Sequence, residues 1–214
     1  MRDYAIPSRD ECLTIIRDCH VPAHILRHSK TVTRLGVFLA RELARRGEPV
    51  DVELVERACL LHDIFRVCEF PLKDFSRFEQ PVTEEDKAKW LAIKERNAGT
   101  RHEEAACAFL RDKYPVLAET IRKHRYTAIV HEQDKPRTWE EKLVYYADKR
   151  VMHDTIVPLR VRLEEAHKRH AAWRTTLSEA EVAAIDAAIF QLEAEIFTCI
   201  GLDADTVNST IVHP

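Results

Sequence analysis

The side chains of this sequence that are best suited to chemistry are a set of histidines and aspartates. His62 and Asp63 are adjacent and belong to the apolar run 58–65. Burying an ionisable pair costs free energy unless something compensates it, and a bound cation is a common compensation. Further residues of the metal-ligand type lie upstream and downstream: His28, His102, His124 and Asp148. These four imidazoles and two carboxylates are enough ligands for one metal ion, and their number also suits two.

Each of these residues has a simpler structural explanation when it is taken alone. A histidine at the end of a helix, such as His124, can merely favour the helix dipole, and a histidine in a first turn, such as His102, is commonly exposed. The set is more informative than its members, because five predicted helices each deliver a ligand from an apolar setting. We therefore predict a metal centre.

Composition limits the classes of protein to which the chain can belong. It has 214 residues, 45% of them hydrophobic and 32% charged, and a net charge of −3, which is typical of a soluble globular protein. The absence of a basic domain argues against nucleic acid as a partner. No stretch approaches the roughly 20 apolar residues of a membrane span, so no membrane partner is expected. The N-terminus lacks the apolar core of a signal peptide and the six cysteines are scattered, so we expect a cytoplasmic protein.

The residue pattern predicts helices almost throughout and no convincing strand. Four segments have the form of a capping box, with a hydroxyl residue at the N-cap and glutamate three residues later: 8–11, 100–103, 138–141 and 178–181. Asp51 and Thr83 are expected as further N-caps, and Gly47 and Gly201 as C-terminal stops. The predicted helices are roughly 9–19, 22–46, 52–66, 84–96, 101–113, 115–126, 139–153, 157–174 and 179–200, with a short turn near 204–209.

Two parts of the chain are predicted to flank the helices that carry the ligands. Residues 67–100 form a long connection that contains prolines and aromatic residues. This connection is interpreted either as a lid over the site or as a peripheral subdomain that covers the core. Residues 156–214 are predicted to form a helical hairpin packed on the domain formed by residues 1–155. A heptad seam from Val182 to Cys199 supports this packing and leaves a dimer contact open.

The order of the ligand-type residues is similar to that of a known family. The matching pieces are RHSKTV at 27–32, ACLLHDIFR at 58–66, HEEAACAFL at 102–110, IRKH at 121–124 and KLVYYADKRV at 142–151. Together they resemble the HD superfamily of metal-dependent phosphohydrolases over roughly residues 20–155. The two intermediate histidines resemble those of the subset that holds two metals, which includes bacterial hydrolases of dinucleoside polyphosphates. The stretch from 63 to 102 is longer than expected for that subset.

This resemblance implies a fold, a ligand set and an activity. The fold would be all-α, a compact HD-domain helical bundle with the C-terminal helical hairpin. His28, His62, Asp63 and Asp148 would hold a first metal, and Asp63 would bridge to a second metal held by His102 and His124. The activity would be hydrolysis of a phosphomonoester or phosphoanhydride in a small phosphorylated substrate, a nucleotide being the favoured class. Asp63 would position the nucleophile, while Arg66 or Lys149 would stabilise charge on the phosphoryl group.

The chemistry of the ligands narrows the choice of metal. A histidine-rich set disfavours magnesium, which prefers oxygen ligands. We expect one or two divalent ions, with iron or manganese favoured and zinc, nickel or cobalt compatible. Two alternatives stay open from the sequence: a di-iron oxygenase of the same superfamily, and a nucleotide-sensing module with a structural metal. The protein is expected to be a monomer or a homodimer.

Other polar residues near the ligands are mostly expected to have no part in the chemistry. Arg27, Lys30, Arg125 and Arg150 could contact phosphate but are expected to be solvated surface charges. His24, one turn before His28, is expected at the surface. Glu103 and Glu104 could orient His102, although helix capping accounts for Glu103.

Overall fold

The computed structural model describes residues 3–75, 78–169 and 177–212, and these residues form an all-α bundle. The α-helices are α1 (Arg9–Asp18), α2 (Ala23–Arg45), α3 (Val52–Leu61), α4 (Glu84–Arg96), α5 (His102–Leu110), α6 (Pro115–Arg122), α7 (Trp139–Arg150), α8 (Leu159–Arg169), α9 (Glu179–Ile200) and α10 (Ser209–Val212). Short 3₁₀ helices cover Arg66–Glu69, Tyr126–Val130 and Ala204–Thr206. The predicted fold class, an all-α bundle, is confirmed.

Helix α2 lies at the centre of the bundle and packs against α3, α7 and α9. Its buried face carries Val32, Leu35, Leu39 and Leu43, which recur every three or four residues and are fully buried. Gly36 lets α2 approach α3 closely, because a Cβ atom at this position would lie 2.7 Å from Cys59 Sγ. This close approach brings the helix that bears His28 against the helix that ends at His62.

Side-chain caps are present at five of the six helix starts where the sequence predicts a cap. Capping boxes are formed at Ser8, Thr83, Thr138 and Ser178, and Asp51 caps α3. The box predicted at 100–103 is wrong, since α5 starts after Arg101 without a side-chain cap. The reason is that the Glu103 carboxylate is engaged elsewhere: its Oε1 is 2.5 Å from Arg101 Nε and its Oε2 is 3.0 Å from His102 Nδ1.

Four ligand-bearing helices end three or more residues earlier than predicted. Helix α3 ends at Leu61 instead of 66, α5 at Leu110 instead of 113, α6 at Arg122 instead of 126, and α7 at Arg150 instead of 153. After α7 the chain forms a two-stranded antiparallel hairpin, β1 (Val151–Met152) and β2 (Thr155–Ile156), where no strand was expected. The helix ends because Val151 already has an extended backbone, and the turn of the hairpin contains His153 with a positive φ of 56°.

The connection at 67–100 is anchored to the bundle at several points. His20 Nδ1 lies 2.8 Å from Asp86 Oδ1, and the Trp90 indole donates to the His20 carbonyl at 2.6 Å. Gln80 accepts a hydrogen bond from the backbone of Ala23, at the start of α2. Phe78 stacks on the buried Trp90 with ring centroids 4.6 Å apart. These contacts favour the covering interpretation, and opening of this segment as a lid stays a prediction.

Both helices of the predicted C-terminal hairpin are present, and both contact α7. They also contact each other, since His167 Nε2 of α8 lies 3.4 Å from Asp186 Oδ1 of α9. The heptad seam of α9 is buried in the chain's own core at Ile185, Ile189 and Ile196. Residues 170–176, which include the predicted end of the helix at 157–174, lie outside the described residues.

Among the residues that the structure describes, no helix has the length and apolar character needed to cross a membrane. All six cysteines are free thiols. The division of the chain at residue 155 stays a prediction.

Candidate metal centre

Five segments bring the six ligand-type residues together. His28 comes from α2, His62 and Asp63 directly follow α3, and His102 opens α5. The other two follow in chain order, His124 just after α6 and Asp148 near the end of α7. The early ends of α3 and α6 place His62, Asp63 and His124 in turns, and there Asp63 contacts both His102 and His124.

One part of the centre is formed by His28, His62, Asp63 and Asp148. His28 Nε2 lies 3.0 Å from Asp148 Oδ1, and His62 Nε2 lies 3.6 Å from the same oxygen and 3.7 Å from Asp63 Oδ2. His28, His62 and Asp63 each offer one ligand atom within 4.8 Å of the others. This spacing fits three ligands around one ion.

A second part is formed by Asp63, His102 and His124. Asp63 Oδ1 lies 3.0 Å from His102 Nε2 and 3.8 Å from His124 Nε2. These three residues also present one ligand atom each within 4.8 Å. Asp63 belongs to both parts, with Oδ2 facing the first and Oδ1 the second, which is the arrangement of a bridging carboxylate.

All four imidazoles present the same nitrogen to the centre. His28, His62 and His124 donate Nδ1–H to the carbonyls of His153, Cys59 and Ile121 at 2.7, 2.7 and 2.6 Å. His102 donates Nδ1–H to the Glu69 carboxylate at 2.7 Å. Such outward hydrogen bonds fix the tautomer and leave Nε2 free to bind a metal.

The inward nitrogens are poorly satisfied by the protein itself. His62 is fully buried, and its Nε2 has no hydrogen-bond partner among the residues that the structure describes. The Nε2 atoms of His102 and His124 lie 3.0 Å apart, so two lone pairs face each other when both rings carry their proton on Nδ1. A cation between these atoms removes both costs, so the donor set fits one or two divalent ions.

Charge distribution within the centre also favours a cation. Burial opposes ionisation of Asp63, yet His62, His102 and Arg66 hold the pKa of this carboxyl well below its usual range. Asp148 behaves in the same way: burial is outweighed by the charge of Lys149 and by the neighbouring His28 and His62, and its pKa is strongly lowered. Burial, with His62 and His102 nearby, lowers the pKa of His124 to about 3. The centre therefore keeps two carboxylates charged and His124 neutral.

The two basic residues predicted to act in catalysis both lie at the centre. Arg66 Nη1 is 3.0 Å from His102 Nδ1 and 3.2 Å from Glu69 Oε2, and the side chain is 23% exposed. Lys149 is nearly buried and donates to Asp148 Oδ2 and to the carbonyl of His124, both at 2.7 Å. Arg66 is thus partly exposed, whereas Lys149 connects two ligand-bearing segments.

The remaining basic residues differ in their surroundings. Arg27 and Lys30 are exposed, as expected. The expectation for Arg150 is wrong: it is 1% exposed and donates to the carbonyls of Val157 and Val207 at 2.7 and 3.0 Å. It anchors the C-terminal segment to α7. The surface position expected for His24 is also wrong, since this ring is half-buried with a centroid 5.9 Å from that of Phe70.

Sequence reasoning missed two contributors to the centre. Glu69 lies in a short 3₁₀ helix where the pattern indicated an undefined connection, so nothing marked its side chain. His153 contributes through its backbone carbonyl, which no side-chain pattern reveals. For Glu103, capping was preferred, although the residue is fully buried beside His102.

Comparison with protein families gives one match, to the HD domain, over residues 25–153. The matched region includes all six ligand-type residues as well as Arg66 and Lys149. Comparison with curated proteins and with solved structures gives no match. Since the family model spans more than half of the chain, the protein belongs to the HD domain family.

Proposed function

We propose that this chain is a metal-dependent hydrolase of a phosphomonoester or phosphoanhydride bond, with nucleotides as the substrate class. Membership of the HD domain family supports a metal-dependent phosphohydrolase. The observation that carries the proposal is the pair of ligand groups that share Asp63, with every imidazole Nε2 turned inward. Mixed imidazole and carboxylate ligands favour iron or manganese and remain compatible with zinc, nickel or cobalt.

A divalent ion bound here would lower the pKa of a coordinated water and neutralise charge on phosphoryl oxygens. Asp63 would orient both ligand groups through its two oxygens. The outward hydrogen bonds of the four histidines would keep the ligands in place during turnover. Because these groups are largely buried, their positions would change little when substrate binds.

Arg66 and Lys149 would have different roles in this reaction. Arg66, whose side chain is partly exposed, would donate to the anionic phosphoryl group of the substrate. Lys149 would act on the ligands, by holding Asp148 and the carbonyl of His124 and by adding positive charge beneath the substrate. The free state of all six thiols supports a reducing compartment such as the cytoplasm. We propose a monomer or homodimer that acts on a small molecule.

The test combines elemental analysis of freshly purified protein with phosphate release from a panel of nucleotides and sugar phosphates. We expect bound metal and phosphate release in wild type, and loss of both in Asp63→Ala. The matched control is His131→Ala, which removes an exposed imidazole outside the centre and should leave both unchanged.

Three outcomes would contradict the proposal. Full turnover by Asp63→Ala would remove Asp63 from the mechanism. Oxygen consumption by an iron-loaded protein that releases no phosphate would indicate the oxygenase alternative. Tight nucleotide binding without any phosphate release would indicate a sensing module.

A further inference from the structure

Glu69 joins the predicted second metal group to the predicted phosphate-binding arginine. Its Oε1 accepts from His102 Nδ1 at 2.7 Å and from the His102 backbone N–H at 3.3 Å. Its Oε2 lies 3.2 Å from Arg66 Nη1. One carboxylate therefore contacts a ligand side chain, the start of the helix that bears it and a neighbouring guanidinium.

A second carboxylate approaches the same ring nitrogen. Glu103 Oε2 is 3.0 Å from His102 Nδ1, and Glu103 is fully buried. An imidazole has one proton at Nδ1, so only one carboxylate accepts it. Glu69 has the shorter contact, whereas Glu103 Oε2 has no hydrogen-bond partner among the described residues and its Oε1 is held by Arg101. Glu69 is thus the acceptor, and Glu103 adds negative charge.

Glu69, His102 and Glu103 have the spacing of a further metal site, but their charges are already balanced. Arg66 Nη1 lies 3.0 Å from His102 Nδ1, in the space that an ion would need. Arg101 Nε lies 2.5 Å from Glu103. Two guanidinium groups thus compensate the two glutamates, which leaves orientation of His102 as the purpose that the geometry supports.

We propose that Glu69 is a positioning residue for the second metal ion, an inference that rests on the proposed function. Its carboxylate holds the proton of His102 on Nδ1, so that Nε2 faces Asp63 and His124. A carboxylate acceptor also makes the imidazole a stronger ligand. The same carboxylate keeps Arg66 beside the centre.

The connection at 67–100 extends this arrangement. Lys94 of α4 donates to the carbonyls of Cys68 and Phe70 at 2.9 and 2.7 Å, on either side of Glu69 in the chain. Lys94 is therefore the contact through which α4 fixes the turn that carries Glu69 and Arg66. The long connection therefore helps to hold Glu69 and Arg66 beside the centre, although α4 itself contributes no ligand.

The test is calorimetric titration of Mn²⁺ into metal-free full-length protein, without substrate. Wild type should bind two ions. In Glu69→Ala the second ion should bind about 10- to 100-fold more weakly, while the first is unchanged. Glu69→Gln keeps a hydrogen-bond acceptor, so its affinity for the second ion should fall less than that of Glu69→Ala. Lys94→Met should also weaken binding of the second ion, but less than Glu69→Ala does. The control Glu104→Gln alters the next carboxylate on α5, 3.6 Å from Arg122, and should bind like wild type.

Several results would overturn the inference: a single ion in wild type, wild-type affinity for both ions in Glu69→Ala, or equal weakening of both ions. If a urea titration shows that Glu69→Ala does not fold, the affinities of Glu69→Gln for the two ions are judged in the same way. Phosphate release is not part of the measurement. A wild-type protein that binds two ions but hydrolyses nothing would therefore contradict the proposed function and leave the role of Glu69 intact.

Discussion

Glu11 shows how one carboxylate can connect two helices at the surface. Its Oε2 accepts from the backbone N–H of Ser8 at 2.8 Å in the capping box of α1. Its Oε1 accepts from Lys113 Nζ at 2.9 Å and from the Tyr114 hydroxyl at 3.1 Å. The Ser8 backbone, together with Lys113 and Tyr114, lowers the pKa of Glu11 from 4.5 to about 2.

This pKa shift predicts an acid-dependent loss of stability. A carboxyl with a lowered folded-state pKa stabilises the fold above its unfolded pKa, and the contribution disappears as pH falls through the folded pKa. Glu11→Gln keeps the capping acceptor but not the charge. We expect the free energy of unfolding to fall in this variant at pH 7, and the difference from wild type to vanish between pH 4.5 and about 2. Urea titrations across this range measure it.

The control for this prediction is the background Lys113→Met, in which the effect of Glu11→Gln should shrink at neutral pH. A difference that persists unchanged at pH 2, or one that grows on acidification, would contradict the assignment.

The role of a residue could be predicted from the sequence where its contacts are to residues nearby in the chain. A capping serine and its glutamate lie three residues apart, so Ser8 and Glu11 were recognisable as a pair. Glu69 and His102 are separated by 33 residues, and their contact depends on a 3₁₀ turn that periodicity does not reveal. Glu103 was ambiguous for a related reason, because capping and metal-centre geometry favour the same residue at the same position.

At the scale of elements, a buried ion pair connects the end of α6 to the start of α7. Lys123 Nζ lies 2.7 Å from Glu141 Oε1, and both residues are 8% exposed. Glu141 Oε2 accepts from the backbone of Arg137 at 2.7 Å and completes the capping box of Thr138. Lys123 immediately precedes His124, so this pair fixes the turn from which that ligand emerges.

The pair should respond asymmetrically to substitution. Glu141→Leu leaves Lys123 buried, with Glu119 at 3.9 Å as its one remaining acidic partner within the described part of the chain, and should reduce the free energy of unfolding by about 3 kcal/mol. Lys123→Met should cost less, because Glu141 keeps its backbone donors. Thr138→Ala, which removes only the cap, should cost about 1 kcal/mol. Urea unfolding with an unchanged m-value tests this order, and equal costs for both partners would contradict it.

The sequence predicted helices α1–α9 but not the β-hairpin, and it placed the C-terminal ends of the ligand-bearing helices α3, α5, α6 and α7 too late. After α3 and α6, the side chains of His62 and His124 donate to carbonyls three residues earlier, which competes with continuation of the helix. The hairpin after α7 depends on His153 adopting a positive φ, which is uncommon outside glycine. Propensity therefore predicted the longer helices, and side-chain hydrogen bonds shortened them.

At the scale of the whole molecule, the metal centre joins five segments that are far apart in the chain. Two charged carboxylates lie here beside His62, whose Nε2 has no hydrogen-bond partner among the described residues. Without a cation, this nitrogen stays unsatisfied and the Nε2 atoms of His102 and His124 face each other 3.0 Å apart. The stability of the whole fold is therefore expected to depend on metal occupancy.

Chelation should lower the melting temperature of the whole domain. An ion present at about 1,000 times its dissociation constant stabilises the folded state by about 4 kcal/mol, and each kcal/mol shifts the melting temperature of a chain of this size by roughly 2–4 °C. Removal of one ion with EDTA should thus lower it by roughly 8–16 °C, and added Mn²⁺ should restore it. In Asp63→Ala, which has lost the bridging carboxylate, EDTA should have little effect. A metal-containing wild type whose melting temperature is indifferent to EDTA would show that the five segments are held together without the ion.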